Sequence, residues 1–106
     1  MTRWLVAFAL TQAFEVPLYV RAGAGWRTAL LASTLTHPVV WFVFPLLGRW
    51  GLGYWGMVVA AELFAVGLEA LWLAFNGVRR ALFWSLLANA TSLGGGLLLR
   101  AVFGWP

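Results

Sequence analysis

Long apolar stretches alternate along this chain with short clusters of arginine, glycine and tryptophan. Read between the arginines, four apolar segments cover residues 4–20, 28–47, 55–75 and 81–99. Each approaches the ~20 residues that carry an α-helix across a hydrocarbon core about 30 Å thick. The pattern predicts an all-α fold: an integral membrane bundle of four antiparallel transmembrane helices with short loops. The loops are Arg21–Arg27, Gly48–Tyr54 and Asn76–Arg80. None is long enough to fold alone, so residues 1–106 read as a single transmembrane domain with no extramembrane module to host chemistry.

Composition makes the bilayer the natural solvent. The chain is 63% hydrophobic, 17% aromatic and 9% charged, whereas soluble domains carry about 25% charged residues and hide only part of their apolar surface. Arg3 ahead of an apolar run could open a signal peptide. The run continues through Thr11, Gln12 and Glu15 to Tyr19 without a small-residue cleavage site, which reads as a retained span. The expected localisation is a multi-pass protein of a bacterial or archaeal inner membrane.

Seven arginines and three glutamates make the formal charge +4, and there is no cysteine. The arginines sit at segment ends, where their stems reach the headgroups, so the basic balance points to the lipid bilayer as partner and away from nucleic acid. With an even number of spans, Arg3, Arg49 and Arg100 share one side, against Arg21, Arg27, Arg79 and Arg80. That difference is too small to orient the bundle. Trp4, Trp26, Trp50, Tyr54, Trp55 and Trp105 lie near the ends, as interfacial belts require.

Against this background the polar residues stand out. Glu62 and Glu69 are seven residues apart, about 10 Å along one helix face, and Asn76 extends the same stripe. Ser85, Asn89, Ser92 and Gly96 draw a stripe of small and polar groups along the fourth segment, suited to close packing on the third. Thr11 and Glu15, and Ser33 and His37, repeat the spacing of four in the first two segments. Pro17, Pro38 and Pro45 free the carbonyls of Ala13, Thr34 and Trp41 as further polar groups.

Depth along an up-down bundle brings Glu15, His37, Glu69 and Asn89 together, with Glu62 and Ser92 in a second layer and Ser85 and Thr34 in support. An ionised acid at the centre of a span costs about 2.5–3.5 kcal/mol, so three would cost roughly 8–10 kcal/mol before pairing. Protonation, a bound cation, an imidazolium at His37 or internal water would offset that.

Function classes follow from the offset. A proton or cation site would use the glutamates as acceptors or ligands, His37 in proton exchange and Asn89 to orient them. A divalent cation is chemically possible, though no ligand motif such as H-E-x-x-H is present. So small a bundle implies a homo-oligomer or a larger membrane-protein partner. An accessory subunit would pair the acids with a partner's arginine. An intramembrane enzyme would use a glutamate base beside His37, but the chain lacks adjacent glutamates and a second histidine. Pigment or haem ligation would rest on His37 alone.

Overall fold

In a computed structural model describing residues 2–104, the chain forms α1 (Thr2–Arg21), α2 (Trp26–Phe42), α3 (Tyr54–Phe75) and α4 (Ala81–Phe103), and no strand occurs among those residues. A 3-10 helix, Phe44–Trp50, joins α2 to α3. Trp105, counted above in the interfacial belt, lies outside the described residues. The stretch Trp26–Trp50, α3 and α4 are each long and apolar enough to cross a membrane. In their most apolar windows only 22%, 28% and 17% of residues are buried within the bundle, so most of that surface faces outward. The polar Thr11, Gln12 and Glu15 interrupt α1, which is not among the three.

Proline chemistry decides where the second segment ends. The predicted span 28–47 is not one α-helix: α2 stops at Phe42, and Pro45 sits at the start of the 3-10 turn. Pro45 has no N–H to give the Trp41 carbonyl, and its ring opposes an α-helical preceding turn. Gly51 then closes the 3-10 helix at φ +89, a left-handed conformation that favours glycine. Pro17 and Pro38 lie inside α1 and α2 without ending them.

The helices form a ring in which α1 and α3 each pack against both α2 and α4. Antiparallel neighbours follow from paired levels: Thr36 meets Glu69 while Thr28 meets Trp72, and Glu15 meets Ser92 while Tyr19 meets Asn89. The core is built mainly of small residues, Ala24, Ala29, Ala32, Ala81 and Ala88, around Tyr19 and Leu73. Leu63, Leu71, Phe75 and Leu98 point outward, each at least 64% exposed. Small residues inside and large apolar ones outside are what helices in lipid require, because close backbone approach replaces the hydrophobic driving force.

A close glycine contact lies beside the expected packing stripe. Gly96 has nothing within 4 Å of where a Cβ would stand, whereas at Gly95 the Phe14 ring comes to 2.5 Å. Gly95, one residue off the predicted stripe, is therefore the position that lets α1 close on α4.

Candidate functional site

Halfway along the bundle, each helix turns a polar side chain inward, and two buried glutamates collect them. Glu15 on α1 is 1% exposed and Glu69 on α3 is 2% exposed. Ser33 of α2 donates its hydroxyl to Glu15 Oε1 at 2.7 Å, and Ser92 of α4 donates to Glu15 Oε2 at 2.6 Å. Glu69 Oε1 accepts from the Tyr19 hydroxyl at 2.5 Å and from Asn89 Nδ2 at 3.2 Å, and its Oε2 accepts from Thr36 at 2.7 Å. Asn89 Nδ2 also donates to the Ser85 carbonyl at 2.9 Å, which holds the amide in place. Ser85 spends its hydroxyl on the Val66 carbonyl at 2.7 Å, tying α4 to α3.

Every oxygen of the two carboxyls thus receives a hydroxyl or amide proton, and all four helices contribute. The groups also lie close enough to sense each other's charge. No arginine or histidine is hydrogen-bonded to either carboxyl among the described residues; the surrounding donors are neutral.

Above this layer opens a cavity of about 220 Å³, lined by both glutamates and by Thr11, His37, Glu62, Gly96 and Arg100 among others. Its floor is the carboxyl layer. Its lining reaches Arg100 in the last turn of α4, so it opens toward the start of α1 and the end of α4. In the floor and below it, Tyr19, Ser33, Ser85 and Leu73 are completely enclosed. The bundle is therefore a cup, closed at the end carrying the first and third loops.

The structure brings Glu15, Glu69 and Asn89 together, as the depth pattern expects, and rearranges the rest. Ser92 belongs to the inner layer through Glu15, not to a second layer with Glu62. His37 is 8% exposed and stands higher on the cavity wall, boxed by Trp4, Phe8 and Trp41 with ring centroids 5.3–6.2 Å away. Its Nδ1 has no hydrogen-bond partner, and it does not join the carboxyl layer. Glu62 lines the same cavity, partly exposed, near enough to Glu69 for their charges to interact.

Two residues of the predicted polar stripes stand apart from the carboxyl layer. Thr34 is exposed on the outer face of α2, donating to the Leu30 carbonyl at 2.8 Å and accepting from Gln12 at 3.2 Å. It supports nothing in the site; Thr36, two residues on, takes that place. Asn76 is exposed at the end of α3 and donates to the Trp72 carbonyl at 2.8 Å, so it caps its own helix.

Tyr19 and Thr36 join the carboxyl layer although the polar spacing did not single them out. Tyr19 falls four residues after Glu15, the spacing that joined Thr11 to Glu15, so one more turn of the same stripe reaches it. Among the described residues no three His, Asp or Glu side chains are grouped to hold a metal ion. No known protein family, curated protein or solved structure matches the chain.

Proposed function

We propose that the protein is a membrane-embedded proton site, with all four helices spanning the bilayer and the Glu15–Glu69 pair binding and releasing a proton through the cavity. The observation that carries this is the donor set: five neutral donors, Ser33, Ser92, Tyr19, Thr36 and Asn89, converge on two buried acids. Burial among helices works against a charged carboxyl, while donors aimed at its oxygens work for it. The two influences oppose each other at one place, which is the condition for a proton that can be both held and given up.

That α1 spans with the others is supported by its 20-residue length, about 30 Å of helix, and by its packing between α2 and α4. Outside the membrane such a helix would leave Glu15 without its partners on α2 and α4. Access is one-sided, so passage of a proton across the bilayer requires the tight layer of Tyr19 and Leu73 to part. Assembly into oligomers would supply the further surfaces that so thin a transporter needs.

Reconstituted vesicles with an imposed pH gradient test this reading. The wild-type chain is expected to dissipate the gradient, and Glu69→Gln to fall to the level of protein-free vesicles while keeping its helical content. Equal flux from both would overturn it. A variant that instead loses association with a co-purifying membrane complex would transfer the acids to an assembly role.

A further inference from the structure

The polar groups of the cavity divide into two sets. Glu15 and Glu69 on the floor each accept protein donors on both oxygens. Higher on the wall stand Glu62, His37 and Thr11, none of which belongs to that network. Helix rise gives their level: Thr11 is four residues from Glu15 and His37 four from Ser33, about 6 Å toward the mouth, and Glu62 is seven from Glu69, about 10 Å. His37 is the telling member. It lines the cavity at 8% exposure with no hydrogen bond to either acid. With Nδ1 enclosed among aromatic rings, Nε2 is the nitrogen left to meet the cavity.

We infer that this upper level is a binding site for a small monoamine, taken as its alkylammonium ion. An ammonium head carries three donors and no acceptor. The wall carries three groups able to accept: the Glu62 carboxyl, the His37 imidazole and the Thr11 hydroxyl oxygen. Trp41 lies on the same lining and gives the cation an aromatic face. Leu10, Leu93 and Leu97 supply an apolar wall for a short alkyl chain. Arg100 at the mouth opposes a second positive group, so a monoamine is preferred over a diamine of the same length.

The inference rests on the proton reading, since a cation arriving above the carboxyl pair favours release of its proton, but the two can fail separately. The single histidine is a clean reporter. In the detergent-solubilised full chain, n-hexylammonium is expected to shift the His37 imidazole resonances saturably. Hexane-1,6-diammonium should bind more weakly, and 1-hexanol, which enters the micelle equally well, should produce no saturable shift. Glu62→Gln should weaken hexylammonium binding at least tenfold, and Glu62→Asp should retain part of it. Equal responses to hexylammonium and hexanol, or an unchanged response in Glu62→Gln, would overturn the amine site. Vesicle proton flux in the same Glu62→Gln protein separates the readings: flux retained with amine binding never seen removes this proposal and leaves the carboxyl pair standing.

Discussion

Tyr19 shows how much one hydroxyl does here. It reaches across from α1 to Glu69 on α3, a contact 50 residues apart in sequence, and is itself fully enclosed. Hydrogen bonds between helices in lipid average about 0.6 kcal/mol and reach about 1.7 kcal/mol. Tyr19→Phe keeps the ring and removes the donor, and should cost about 1–2 kcal/mol in detergent unfolding, near the top of that range, because the acceptor is a carboxyl. Glu15→Ala should cost more than Glu62→Ala in the same assay. The first strips Ser33 and Ser92 of their acceptor inside the bundle, whereas the second only trims the wall of an open cavity. Equal costs would mean that the inner network contributes nothing to the fold.

At the scale of elements, helix faces and helix ends were legible to different degrees. The stripe on α4 was readable from spacing, and its Ser85, Asn89 and Ser92 do meet α3 and α1. Gly96, placed on that stripe by spacing, lines the cavity, and the close glycine contact is that of Gly95 with Phe14 on α1. Gly95→Ala places a methyl against the Phe14 ring and should lower stability by about 1–3 kcal/mol, the usual range for overpacking. Gly96→Ala meets open space and should be neutral or slightly stabilising, as alanine is the better helix former. Thermal denaturation of the pair in one detergent compares them directly. The early stop of α2 was foreshadowed by Pro45, but a hydropathy reading runs straight through proline and so overshot to residue 47.

For the whole molecule, the decisive property is asymmetry. A cavity reaching from Arg100 to the carboxyl pair, above a sealed layer, gives the bundle one open end and one closed end. The natural chain has no cysteine, so single thiols can be introduced without background. Leu97→Cys, on the cavity wall, should react with a membrane-impermeant maleimide from the side of Arg100 only. Leu73→Cys, fully enclosed below the floor, should resist from both sides. Labelling of Leu97→Cys from the opposite side would mean that the cup opens the other way.

The helical backbone of the described residues, and the three stretches long and apolar enough to cross a membrane, were legible in the sequence, because these depend on the number and order of apolar residues and on where arginine and proline interrupt them. Which polar groups meet was decided only by the tertiary structure. Successive residues on a helix point about 100° apart, so Thr34 and Thr36, chemically identical, face nearly opposite directions. The rotation of each helix about its axis is set by how small residues such as Gly95, Ala29 and Ala88 let neighbours close. That rotation sends Thr36 and Tyr19 to Glu69, leaves His37 among aromatic rings, and turns Thr34 outward.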